Sequence, residues 1–256
     1  MNEDRLIELL AELHAGLSRL GPGNDASTLR ALALCEHLPA NPDILDVGCG
    51  TGAQTLVLAS ATGGQVTATD LVPGFLAQCE ASARRLGLAG RIRTRVADMH
   101  DLPFADASFD LIWSEGAVYI MGFDRGLAQW RRLARPGGYL VVSELSWFKP
   151  SPPADLQEFW NDQYPAMRSI ADNLAVTRTL GWEPVVHFRL PREAWTLDYY
   201  APLRERLGVF RRAHAGDRDA QVVADMTAEE MSLLSRYPDW YGYAFYVLRR
   251  VEGAAS

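Results

Sequence analysis

The stretch ILDVGCGTGAQTLVLA, residues 44–59, decides how the rest of the chain is read. An apolar strand runs into Asp46 and Val47. Gly48, Gly50 and Gly52 then make a tight turn, with Thr51 between the last two, and Gln54 stands at the start of a helical pattern. Glycine suits such a turn because a side chain would hold the backbone away from a ligand and because positive φ costs glycine little. The helix N-terminus behind it offers unpaired N–H groups to a polar or anionic partner. The spacing is GxGxG rather than the GxGxxG of dinucleotide sites.

Outward from this loop, residues 44–47, 65–69, 92–96, 109–113 and 139–143 are short strand-like runs bounded by turn or polar residues. Helical patterns lie between them at 53–61, 74–86 and 123–135. Such alternation predicts βαβ units and a mainly parallel sheet covered on both faces. Upstream, Leu6, Leu9, Leu10, Leu13, Leu17 and Leu20 predict a helix over 5–20, ended by GPGN at 21–24, and a second helix is expected over 26–37. Downstream of Trp147 the alternation lapses. KPSPP at 149–153 breaks the chain, a helical pattern interrupted or kinked at Pro165 covers 156–180, and strands are expected at 182–190 and 241–249.

Composition narrows the function. Among 256 residues, 48% are hydrophobic and 22% charged, as in a globular protein. The net charge is −7 and the basic residues are scattered arginines apart from Lys149, so no nucleic-acid partner is expected. No apolar run is long enough for a membrane span, and acids occupy the N-terminus where a signal peptide needs positive charge, which predicts a cytoplasmic protein. Cys35, Cys49 and Cys79 lack CxxC spacing, and the five histidines lack HxxxH spacing, so neither a disulfide framework nor a metal site is expected.

Four segments in order then carry a resemblance. ILDVGCGTG at 44–52, QVTATDL at 65–71, RTRVADMHDLPFADASFDLIWS at 93–114 and LARPGGYLVVSE at 133–144 resemble the class I S-adenosylmethionine-dependent methyltransferases, and within them the ubiquinone and menaquinone biosynthesis branch and its small-molecule relatives. The resemblance covers roughly residues 41–148. It implies a Rossmann-like, doubly wound, mainly parallel seven-stranded sheet with an antiparallel last strand. It also implies S-adenosyl-L-methionine as cofactor and a small-molecule acceptor, and it assigns Asp70 to the ribose hydroxyls, Asp98 to the adenine amino group, and Leu71 and Met99 to the faces of the ring.

Other positions keep two readings each. Asp46 holds the loop backbone or touches ligand, and Gln54 reaches the methionine end of the cofactor or faces water. Glu115 and Tyr119 follow the fourth strand, where the fold faces the transferred methyl. An acid there binds the cofactor's amino group, complements the sulfonium or deprotonates the acceptor, whereas a structural role leaves it paired. Tyr119 is pocket wall or ordinary core. His14 faces the site if the N-terminal helix folds over the cofactor.

The whole chain, 1–256, is expected to form one methyltransferase domain: N-terminal helices over 1–40, a cofactor core over 41–148, and helical insertions at 149–180 and 191–240. The second insertion leaves the sheet at the ligand-binding edge and, together with residues 149–165 and the N-terminal helix, is expected to cap the acceptor pocket, so that excising 196–236 spares donor binding while methyl transfer collapses. A homodimer contact or a solvated outer decoration is its other reading. Two competing functions stand beside methyl transfer. A nicotinamide-dependent oxidoreductase is opposed by the loop spacing and the absence of a Tyr-x-x-x-Lys pair, and a noncatalytic metabolite-binding module is opposed by the intact loop and acids.

Overall fold

Strand alternation places the core. In β1 (Asp43–Val47), Ile44 and Asp46 face one side of the sheet while Leu45 and Val47 face the other, and all four are buried. The structure, a computed structural model, describes residues 1–251. The chain enters through α1 (Glu3–Leu13) and α2 (Asp25–Ala33), then runs β1, α3 (Ala53–Ala61), β2 (Gln65–Asp70), α4 (Pro73–Arg85), β3 (Ile92–Val96), β4 (Phe109–Glu115), α5 (Phe123–Trp130) and β5 (Ala134–Trp147). The second half adds α6 (Ala154–Gln163), β6 (Arg168–Ser169), α7 (Ile170–Thr179), β7 (Trp182–Arg189), α8 (Arg192–Trp195), a π-helical turn at Thr196–Tyr200, α9 (Ala201–Ala213), α10 (Arg218–Arg236) and β8 (Tyr241–Arg250).

The sheet order is β3-β2-β1-β4-β5-β8-β7, with β6 beside β5. β1 to β5 pair in parallel, whereas β8 runs antiparallel to both β5 and β7 and is the reversed strand inserted between them. Ile44, Val66, Leu111, Trp113, Val141 and Phe245 meet residues of α1 to α4, α9 and α10 on one face. Leu45, Val47, Ile112, Val142, Tyr246 and Leu248 meet Phe123, Leu127 and Trp130 on the other.

Three expectations change. The helix predicted over 5–20 stops at Leu13, because Gly16 adopts φ 82° and the chain unwinds, while Leu17 stays buried on the core without helical geometry. Of the two readings of the 156–180 pattern, interrupted or kinked at Pro165, the structure has the interruption: Pro165 lacks the N–H a continuous helix needs, and the intervening Arg168–Ser169 adds to β5 at Ser146–Trp147, beyond the end of β4. That short strand is additional to the seven expected. In the 123–135 pattern the last residues tighten into a 3-10 turn at Arg131–Leu133 and pass straight into β5.

Candidate functional site

The glycine loop leaves β1 at the carboxyl edge of the parallel strands, where open α/β sheets take ligands. Gly48 has φ 69° and Gly52 φ 85°, values at which L side chains are strained. A Cβ on Gly48 would meet the Ala117 Cβ at 2.6 Å, and one on Gly52 would meet the Cys79 Sγ at 2.3 Å. The loop is thus pressed between the turn after β4 and helix α4.

Asp46 points into the α3 side of the sheet, as its alternation with Leu45 dictates. Its Oδ1 accepts from Gln54 Nε2 at 3.2 Å and its Oδ2 from Thr55 Oγ1 at 2.5 Å. Gln54 also donates to the Cys49 carbonyl at 3.3 Å and is buried, so it ties the helix start to the loop instead of facing water. Burial pushes the Asp46 carboxyl up to about 7 against the opposing bonds from Thr55 and Gln54.

Asp70 ends β2. Its Oδ2 accepts the Gly50 N–H at 2.9 Å and its Oδ1 the Val72 N–H at 2.9 Å. Burial raises its carboxyl above the usual range, opposed by these backbone bonds. Each oxygen keeps a second lone pair for a hydroxyl donor. Beyond it Leu71 is 57% exposed, a large apolar side chain open to solvent. Asp98 is exposed too and accepts from the His100 backbone N–H and ring Nδ1, which hold its carboxyl below the usual range. Met99 lies beside the loop, its Cε 3.4 Å from where a Gly48 Cβ would stand. An acid at the end of β2, an open leucine, a methionine by the loop and a cradle that a Cβ would fill together fit a ribonucleoside carrying a polar tail.

Glu115 and Tyr119 part company. Residues 111, 113 and 115 share one face of β4, so Glu115 lies with Trp113 against α2. Its Oε1 accepts from Thr28 Oγ1 at 2.7 Å and Trp113 Nε1 at 2.9 Å, while Arg19 Nη1 stands 3.3 Å from Oε2. Burial raises the Glu115 carboxyl, with the Arg19 charge opposing. It is enclosed in a structural network instead of open to a substrate. Tyr119 leaves 44% of its surface uncovered, packed edge-on to Tyr164 with ring centroids 6.1 Å apart.

The segment between α1 and α2 packs over the loop; sequence reasoning put the N-terminal helix over the cofactor, but the contacts come from the chain just after it. Thr51 Oγ1 donates to the Ser18 carbonyl at 2.9 Å, and a Cβ on Gly50 would meet Leu20 Cδ1 at 2.8 Å. Arg19 is bound to Asp25 as well as Glu115. The Gly23 N–H donates to the Ala194 carbonyl, tying this segment to the 191–240 insertion. His14 joins the same seam. Its Nδ1 lies 2.8 Å from the Leu10 carbonyl and its Nε2 3.0 Å from Tyr199 Oη, and burial lowers its pKa, so the neutral ring donates from Nδ1 and accepts the tyrosine proton at Nε2. The signal available in the sequence was the GPGN turn directly after Leu20.

Residues 45–142 match the family model described as a methyltransferase domain. A demethylmenaquinone methyltransferase from Clavibacter sepedonicus is 36% identical over 60% of this chain and 60% of its own length. Methyltransferase GfsG from Streptomyces halstedii is 32% identical over 56% of this chain and 55% of its own. The chain spans about half the length of the curated relatives it matches. Among solved structures, a SAM-dependent methyltransferase from Geobacter sulfurreducens in complex with S-adenosyl-L-homocysteine superimposes with TM-score 0.78 at 22% identity, over 95% of this chain and 98% of that one. The [4+2]-cyclase SpnF does so with TM-score 0.75 at 22% identity, over 98% and 94%. At such identities these two likenesses concern the fold, which is the class I methyltransferase fold over nearly the whole chain.

Proposed function

We propose that this chain, whose core is a methyltransferase domain, transfers a methyl group from S-adenosyl-L-methionine to a small-molecule acceptor. The observation that carries the reading is the carboxylate of Asp70, held by the Gly50 N–H against the loop while each oxygen keeps a lone pair. In this reading Asp70 binds the ribose hydroxyls, Leu71 and Met99 cover the adenine and Asp98 accepts from its amino group. Gly48, Gly50, Thr51 and Gly52 form the cradle, and Asp46 and Gln54 hold that cradle in shape from behind.

When bound, the cofactor supplies a methyl on a sulfonium that is already an activated leaving group. The protein's task is therefore to align the acceptor and exclude water. The segment around Ser18–Leu20 closes one side of the loop, and the 191–240 insertion ties onto that segment through the Gly23–Ala194 and His14–Tyr199 bonds, forming in this reading the cover under which acceptor and donor meet. Tyr119 serves as a wall of the acceptor pocket. Glu115 positions Arg19 and Thr28 beneath that cover.

Calorimetric titration tests the reading. The parent protein is expected to bind S-adenosylmethionine, and Asp70→Ala to weaken binding by about 1.5–3 kcal/mol, the range for hydrogen bonds to a charged group. Unchanged affinity in the variant removes the ribose assignment; absence of binding by the parent removes the function.

A further inference from the structure

At the carboxyl ends of β4 and β5 stand buried polar atoms that nothing in the protein answers. Glu144 is 1% exposed and Ser114 is fully buried, yet Glu144 Oε2 and Ser114 Oγ have no hydrogen-bond partner among the described residues. The buried hydroxyl of Tyr164 has none either. A polar atom taken out of water without a partner is costly, and native structures hold few of them.

Strand register brings the first two together. Ser114 pairs with Val142, so Ser114, Val142 and Glu144 project from one face of two adjacent parallel strands. The spacing of strands and residues makes Ser114 and Glu144 diagonal neighbours about 8 Å apart at the backbone, close enough for both side chains to reach one small group. β4 ends opposite Ser143 and β6 begins only at Ser146, so Glu144 stands at a gap in the pairing of β5. Tyr164 comes to the same gap. Its carbonyl accepts the Met167 N–H at 3.0 Å, turning the chain tightly into Arg168, the residue paired with Ser146. Its ring packs edge-on at 6.1 Å to Tyr119, which belongs to the turn Val118–Ile120 lying on β5. In the other direction, the β1–β4 register continued past Asp46 and Trp113 puts Ser114 beside Val47, directly before Gly48. The three unanswered atoms therefore lie between the donor loop and the half-uncovered Tyr119.

Their chemistry selects a ligand. Arg168, the cation on the neighbouring strand, is held through both terminal nitrogens by Asp124 at 2.5 and 2.9 Å, so no free positive charge awaits an anion. Burial pushes the Glu144 carboxyl up to about 8, with the Tyr164 hydroxyl and the Arg168 charge opposing and Asp124 adding to it. Near neutral pH the carboxyl is chiefly protonated and offers an ammonium no counter-charge. A hydroxyl group carries one donor and two lone pairs, and a carboxyl, a serine and a tyrosine can answer all three.

We propose that Glu144, Ser114 and Tyr164 form the subsite that binds a hydroxyl group of the methyl acceptor, which is thereby a small alcohol or phenol. The proposal rests on the methyl-transfer reading and adds the acceptor's chemical class to it.

Two pairs of probes test it, phenol with fluorobenzene and cyclohexanol with fluorocyclohexane, each titrated into the full chain with S-adenosylhomocysteine present and followed by ligand-observed NMR. In at least one pair the hydroxyl compound is expected to bind at least about tenfold more tightly than its fluoro counterpart. Ser114→Ala and Tyr164→Phe should each reduce that preference at least about threefold while melting no lower than the parent, because the atom removed has no partner in the free protein. Glu144→Leu should abolish the preference. A purely structural role predicts the reverse, a lower melting temperature with the preference kept. Equal binding within both pairs overturns the inference while leaving methyl transfer standing. So does a preference that survives Glu144→Leu or, should that variant not fold, one that survives both hydroxyl deletions. Failure of S-adenosylhomocysteine to bind the parent overturns the underlying reading instead.

Discussion

Asp46 carries the clearest single-residue consequence. Its carboxyl is pushed from 3.8 up to about 7 by burial, so between these values the native state keeps a proton that the unfolded chain has released. Stability from this group is complete below the unfolded value and is lost as pH rises through about 7. Asp46→Asn keeps an acceptor for Thr55 and never ionises. The variant is expected to melt higher than the parent at about pH 8, with the gap narrowing towards about pH 5; parallel melting curves at both pH values would refute the assignment. Asp46 and Asp70 were legible as positions beside the loop because a strand-end acid next to GxGxG has few geometries open to it. Glu115 was legible as a position but not as a role. Its partners Arg19 and Thr28 are distant in sequence, and no periodicity announces that the turn after α1 will fold back over β4.

At the scale of elements, that turn works as a strap whose anchor is the buried ion pair. Arg19→Leu would leave Glu115 buried without its cation, a loss of about 3–5 kcal/mol, while the exposed partner Asp25 contributes little. Adding Glu115→Gln to the same protein removes the stranded charge, so the double variant is expected to recover most of the loss. Urea denaturation of the parent, both single variants and the double variant reads the coupling directly. A single Arg19→Leu variant costing less than about 1 kcal/mol would deny the pair its structural role. Regular elements follow sequence period closely here: β3 covers Ile92–Val96 and α3 Ala53–Ala61, as the alternation required. The elements that departed did so where a single backbone property outweighed the apolar period. Gly16 at positive φ ends α1 while the leucine spacing continues, whereas the break at Pro165 was one of the two readings the proline offered.

Over the whole molecule, the 191–240 insertion stands where the sheet topology puts it, because β7 runs with the parallel strands and releases the chain at their carboxyl edge. Its independence is another matter. Tyr200, Leu203, Leu207, Phe210, Val223 and Leu234 are all buried and continuous with the core that contains Leu111, Trp113 and Phe245. Arg206 donates to the Leu13 and Glu12 carbonyls, and Arg5 pairs with Asp217, so α1 leans on the insertion as well. Burying a large apolar side chain contributes about 1.5–3 kcal/mol, and six of them reach the total stability of an ordinary domain, about 5–15 kcal/mol. The expectation that excision spares donor binding is therefore replaced. A protein with 196–236 exchanged for a short Gly/Ser linker should lose its cooperative thermal transition and, with it, S-adenosylmethionine binding. If circular dichroism instead shows a sharp transition and calorimetry an affinity within about tenfold of the parent, equivalent to 1.4 kcal/mol, the insertion is a detachable lid and the shared core does not require it.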